Sequence, residues 1–208
     1  MRVLGRTPQV VALALGAAVV AAGAASSAIH SQGHAGTLFD CGGGRWKVKT
    51  LSDAAAGRIR FRPRWVAVKH LRSLEPPPDL TGDSARRRGP ERRVFRIRVR
   101  LIEAKLADDR DIHLVVSRPR HPGATMIVEF PNARCNGAAS AIHKAGLIRA
   151  RRAFLGACGP LRTNLKKLHG IARVRGVGFF DTEHGQTGRA PNAFELHPVL
   201  GFRRISGC

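Results

Sequence analysis

The sequence predicts a mainly β fold with one main helix, and three observations lead there. Beyond residue 93, short segments recur in which apolar side chains alternate with basic or polar ones. Turn-forming Gly, Pro and Asp residues separate them. One alanine-rich segment, too long for a strand and without that alternation, interrupts the series. Two-residue alternation marks a half-buried strand, and a long segment with wider apolar spacing suits a helix.

The elements follow in order. VFRIRVRLIEAKL, Val94 to Leu106, sets Phe95, Ile97, Val99 and Leu101 on one face and Arg96, Arg98 and Arg100 on the other. ADDRD turns the chain into a second strand, IHLVVS; HPGA reads as the next turn and TMIVEFP as a third strand, ended by Pro131. Between Asn136 and Ala157 the helix carries Ile142, Leu147, Ile148, Phe154 and Leu155 among alanines and basic residues. After Gly159 and Pro160, IARVRGVGFFD and AFELHPVLGFRRI read as the fourth and fifth strands. The order β-β-β-α-β-β is that of an OB-fold-like five-stranded barrel, with Gly176 and Gly178 suited to bulges at its corners. Closure would protect the edges of so small a sheet, although a small α+β sandwich shares the same order.

The barrel needs only residues 94–208. Residues 45–93 form an N-terminal extension and a Pro/Arg-rich linker. Within it RWKVKTLSD is expected as an added edge strand, and WVAVKHLRSL as a short helix ended by Pro76, Pro77 and Pro78. Residues 29–44, small and Gly-rich, read as a flexible leader. In residues 1–28 the basic Arg2 and Arg6, the run VVALALGAAVVAAGAA and a small-residue exit form the pattern of a secretory signal peptide. An uncleaved anchor is the alternative, but the run falls slightly short of spanning length. The expectation is a secreted, extracytoplasmic protein with no transmembrane segment after cleavage.

Lys and Arg number 36 against 14 Asp and Glu, a formal charge of +22. Such an excess attracts polyanions: nucleic acid, anionic wall polymers, acidic headgroups. Arg richness alongside Ala richness also fits a GC-rich coding sequence. Candidate polyanion contacts are Arg96, Arg98 and Arg100 on the first strand and Arg149, Arg151 and Arg152 on the exposed side of the helix. Trp46 and Trp65 lie outside the barrel and tyrosine is absent, which argues against a dedicated binder of single strands through base stacking.

Cys41, Cys135, Cys158 and Cys208 suggest two disulfides in an exported chain, with three connectivities open. Cys135 and Cys158 would stand about 30 Å apart across one continuous helix, against the roughly 7 Å a bridge allows. They pair only if the helix is short and the chain doubles back. Cys41 and Cys208, near the two ends, can close the domain.

Strand alternation also sorts the polar side chains. It expects His113, Glu129, Glu195 and His197 on the outer surface beside Arg96, Arg98 and Arg100, with Asp111 on the same face as His113 and with Asp181 and His184 adjacent. His113, Glu129, Asp181, His184, Glu195 and His197 are the catalytic candidates. Asp181, His184, Glu195 and His197 are candidates for a divalent metal, whose bound water becomes a nucleophile while arginines neutralise a phosphodiester. No spacing here matches a metal motif, and D-x-x-H and E-x-H recur by chance. The simpler readings are a cross-strand hydrogen-bonding pair and a hairpin shaped by Gly185, Gly188 and Pro191.

RWKVKT, DIHLVVS, TMIVEFP and GVGFFDTEHGQTGRAPNAFELHPV together resemble a family of exported bacterial proteins with no assigned activity. Its pattern reads R-W-x-V-K-T, D-x-H-L-V, T-M-I-x-E-x-P and G-F-F-D-x-x-H-G-Q-T-G-x-A-P-N-x-x-E-L-H-P-V, spanning Arg45 to Leu200. The resemblance implies that His113, Glu129, Asp181, His184, Gln186, Asn192, Glu195 and His197 are family positions, and it implies no function. A looser architectural similarity links the expected barrel to secreted staphylococcal-type thermonucleases, none of whose active-site motifs occur here. Three functions stay open: a polyanion-binding protein, a metal-assisted phosphodiesterase, and an interaction module without catalysis.

Overall fold

Alternating side chains over residues 93–130 and 171–206 build a mainly β architecture in the computed structural model, which describes residues 43–136 and 139–208. The proposed signal peptide, most of the leader and Cys41 lie outside the described residues. In chain order the elements are α1 (Trp46–Lys49), β1 (Arg60–Trp65), α2 (Val68–Leu71), β2 (Arg93–Leu106), β3 (Ile112–Arg118), β4 (His121–Phe130), α3 (Ala141–Cys158), β5 (Lys166–Lys167), β6 (Ile171–Phe180) and β7 (Phe194–Ser206). None of these helices is long and apolar enough to cross a membrane.

The strands form one seven-stranded sheet in the order β1-β2-β3-β4-β7-β6, with β5 added to β2 and a further pairing between β2 and β6. Length explains how β2 serves so many partners. Its first half, Val94 to Arg100, pairs antiparallel with β6, and its second half, Arg100 to Leu106, with β3. The β4–β7 pair is parallel, as its long connection through α3 and β6 permits. Irregular register in the β6–β7 ladder falls at Gly176 and Gly178, the two glycines expected to bulge, and also between Ile171 and Ala172.

The core lies on the inward side of these strands, where Ile97, Val99, Leu101, Leu114, Val116, Met126, Val128 and Leu196 are buried. Helix α3 closes it with Leu147, Ala150 and Phe154. The Phe154 ring lies 5.2 Å from those of Phe130 and Phe202. Each such fully buried side chain contributes about 1.5–3 kcal/mol.

Two expectations need correction. RWKVKT is not a strand: Trp46–Lys49 is one turn of helix, which aims Arg45 and Lys49 together at the Phe179 ring, 4.8 and 5.5 Å from its centroid. The position beside β2 goes instead to β1, a run of exposed arginines that pairs parallel with it. HPGA is not a turn: the chain reverses at Pro119 and Arg120, and His121 already belongs to β4. Spacing left the disulfide connectivity open, and one bridge joins Cys158 to Cys208, with Cα atoms 5.0 Å apart. Cys158 ends α3 and Cys208 follows β7, and those two elements pack together. Cys135 is also disulfide-bonded, and no described cysteine is free.

Residues 45–93 are bound to the sheet by two buried arginines. Arg45 forms a bidentate pair with Glu91, at 2.6 and 2.7 Å, and donates to the Phe180 carbonyl. Arg86 donates to Asp53 and to the carbonyls of Glu91 and Val48. Leu51, Ala56 and Ile59 then cover Val94 and Val177 on the outer side of β2 and β6.

Candidate functional site

Register assembles the polar cluster. His113 on β3 stands directly opposite Glu129 on β4, and β7 runs parallel to β4 with Glu195 opposite Ile127. Two residues along β7, His197 shares the face of Glu195. Facing side chains therefore bring His113, Glu129, Glu195 and His197 together, and Asp111 joins them from the start of β3. Alternation read the face correctly and its environment wrongly. These side chains are buried rather than displayed on an outer surface: His197 is 0%, Glu195 1%, His113 4% and Glu129 8% exposed. The cover is α1, which supplies Lys49, and the loop after β6, which supplies Asp181, Gln186 and Thr187.

The contacts define protonation. His113 Nδ1–H donates to Glu129 Oε1 at 2.8 Å and Nε2–H donates to the Thr187 carbonyl at 2.9 Å. Both partners are acceptors, so this ring carries both protons. Burial lowers its pKa, but the hydrogen bond and charge of Glu129 outweigh that and hold it above its ordinary value. Glu129 is opposed by burial, yet the two imidazoles hold its carboxyl well below the usual range. Glu195 has only His197 to lower its pKa, and that does not suffice. Burial, with Glu129 beside it, pushes its carboxyl up to about 7. Lys49 loses solvation, but Asp181, Glu129 and Glu195 more than offset this and hold it above its ordinary value.

Asp181 anchors the rim, where it accepts from Gln186 Nε2 at 3.0 Å and lies 3.1 Å from His184 Nε2. The His184 side chain is 58% exposed and lies outside the buried group. A cavity of about 410 Å³ opens above the cluster, lined by Lys49, Asp109, His113, Glu129, Asp181 and His184 among others. Among the described residues, the trio whose ligand atoms lie within 4.8 Å of one another is Asp111, Glu129 and His197. Of the sequence-derived metal set Asp181, His184, Glu195 and His197, only His197 is in that trio. Asp111 shares the face of His113, two residues before it, and alternation was the signal that could have added it to the candidates. Lys49 carried no comparable signal. Asn192 is structural, donating to the Leu71 and Leu74 carbonyls and so holding α2 in place.

Gly188 sets the loop height over the cluster. Its φ is +78°, and a Cβ there would strike the methyls of Val115, a stiff β-branched neighbour. Gly188→Ala is expected to cost about 2–3 kcal/mol through strain and overpacking, measured by urea unfolding. It should also displace the adjacent Thr187 carbonyl from His113.

The arginines form a second feature. Arg98, Arg173 and Arg203 lie in direct register across β2, β6 and β7, and Arg96 faces Arg175 in the neighbouring row. Arg96, Arg173, Arg175 and Arg203 line a cavity of about 260 Å³. Arg98 lines another, of about 460 Å³, with Arg118, Arg120 and His121. Among the described residues none of these seven arginines has a carboxylate at ion-pair distance. Trp65, 54% exposed, lies against Arg96 and Arg173 at 5.3 and 5.6 Å. Desolvation and the nearby Arg96 and Arg149 lower the Arg175 pKa, so Arg149 of α3 extends this surface. Arg100 and Arg152 are exposed, whereas Arg151 turns inward and donates to the Phe130, Pro131 and Arg110 carbonyls.

No protein-family profile matches the chain, and neither does any curated protein or solved structure.

Proposed function

We propose that the protein binds an anionic polymer, nucleic acid or a phosphate-bearing wall polymer, across the arginine face of an OB-fold-like barrel. The observation that carries this reading is the row Arg98–Arg173–Arg203. Like charges set directly opposite one another on neighbouring strands destabilise a sheet, and no carboxylate among the described residues relieves them. A bound polyanion supplies the missing countercharge, with Trp65 offering an exposed ring beside it. The barrel is supported by the pairing circuit β2-β3-β4-β7-β6 and back to β2, with α3 between β4 and β6. Export is supported by the N-terminal sequence pattern and the disulfide, and membership of the exported family by the four matching segments.

The test is binding of labelled duplex DNA, RNA and a phosphate-bearing wall polymer at increasing salt. About four neutralised phosphates predict a loss of roughly 100-fold in duplex affinity between 50 and 200 mM salt. The variant Arg98→Ala/Arg173→Ala should weaken binding and flatten that slope. Affinity indifferent to salt, or unchanged in the variant, excludes the reading.

A second reading rests on the separate cleft. There His113, Glu129, Lys49 and Asp181 line a cavity, an arrangement suited to metal-assisted hydrolysis of a phosphodiester. Its test is turnover of plasmid, RNA or a chromogenic phosphodiester across Mg²⁺, Mn²⁺, Ca²⁺ and Zn²⁺ with chelator controls. No turnover under any of these conditions removes it.

A further inference from the structure

The ring of His197 is the starting point. It is fully buried and surrounded by carboxylates: Nε2 is 3.3 Å from Asp111 Oδ2, and Nδ1 is 3.1 Å from Glu129 Oε2 and 3.9 Å from Glu195 Oε2. Among the described residues, none of the three carboxylates makes a hydrogen bond with the ring. Both ring nitrogens, Asp111 Oδ2 and Glu195 Oε2 are buried without a hydrogen-bond partner. Buried polar atoms are ordinarily satisfied, so four unmatched ones converging in one place require an explanation.

We propose that Asp111, Glu129 and His197, with Glu195 beside them, form a buried site for one divalent transition-metal cation. Donor atoms held about 2.0–2.2 Å from a common ion stand roughly 3–4 Å apart and aim at that ion rather than at each other. The distances here, and the absence of aligned hydrogen bonds, fit that pattern. One imidazole with two or three carboxylates suits Zn²⁺ or Mn²⁺ better than Ca²⁺ or Mg²⁺, which favour oxygen alone.

The surroundings are those of a supported site. Asp111 Oδ1 accepts the Asn132 backbone N–H at 2.6 Å, which fixes that carboxylate and leaves Oδ2 for the ion. His113 holds Glu129 through Oε1, and the Thr187 carbonyl holds His113 in turn. Such outer hydrogen bonds orient ligands and tune their affinity. Glu129 also lines the 410 Å³ cavity, so the ion has a route from solvent. This site is distinct from the arginine face and stands or falls independently of polyanion binding.

The experiment uses the purified full chain, stripped with chelator, and then titrated with Mn²⁺ and separately with Zn²⁺ by calorimetry. One equivalent per chain is expected, accompanied by a rise in melting temperature. Asp111→Asn should weaken binding at least tenfold, while His184→Ala, which alters only the exposed rim, should leave it unchanged. If Asp111→Asn does not fold, X-ray absorption on the Zn²⁺-loaded wild type decides instead. A first shell with one imidazole nitrogen and carboxylate oxygens supports the site. Failure of both ions to bind, a shell without imidazole, or binding lost in His184→Ala but kept in Asp111→Asn overturns it.

Discussion

Glu91→Ala is expected to destabilise the protein by about 3–5 kcal/mol, the usual result of removing one partner from a buried ion pair. Glu91 and Arg45 have fully buried side chains. The carboxylate also accepts the backbone N–H groups of Phe180 and Arg87, at 3.0 and 2.6 Å. Truncation leaves a guanidinium facing no acid and two amides without acceptors. For a chain of this size the melting temperature should fall by about 10 °C. The effect should reach beyond the pair, because Arg45 opens α1, and α1 brings Lys49 over the cluster. Replacing both partners with apolar residues, as in Arg45→Met/Glu91→Leu, should be less harmful than Glu91→Ala, since no buried charge is then stranded. Denaturant unfolding of the three proteins measures this. A loss below 1 kcal/mol for Glu91→Ala means the pair does not hold the extension in place.

Removing the Cys158–Cys208 bridge, as Cys158→Ser/Cys208→Ser, should cost about 4 kcal/mol by the chain-entropy relation for a sequence separation of 50 residues. The closed loop contains β5, β6 and β7, so its release frees the strand carrying Glu195 and His197 in the unfolded chain. The double variant is preferable to a reductant, because reduction would also break the bond made by Cys135. Unfolding measured under oxidising conditions should show the loss. A midpoint within error of wild type would mean that the bridge adds nothing to packing between α3 and β7.

Both predictions concern features that were only partly legible in the chain. Five strands and the long helix were readable because each segment carries its own period, and burial enforces that period residue by residue. Val94 to Leu106 is the clearest case. RWKVKT misled because five or six alternating residues fit a strand and a single helical turn equally well. Only the buried partners of Arg45, more than 35 residues away, settle the choice. HPGA carries turn chemistry, but strand pairing overrides that local preference, and the β-ladder continues to His121.

The site divides in the same way. Alternation placed His113, Glu129, Glu195 and His197 on one face, and Asp111 as well, because side-chain direction along a strand is a local property. Whether that face meets water is not local. It depends on α1 and the 181–193 loop folding over it, and this cover changes a solvated row into a buried, coupled cluster with shifted protonation. The arginines show the complementary case. Their basic excess was evident from composition, but the direct register of Arg98, Arg173 and Arg203 required three strands to be aligned. The chain by itself determined the five main strands beyond residue 93 and which side of each is polar. The tertiary structure decided which polar side is buried and which charges stand together, because burial and electrostatic coupling depend on distances between residues far apart in sequence.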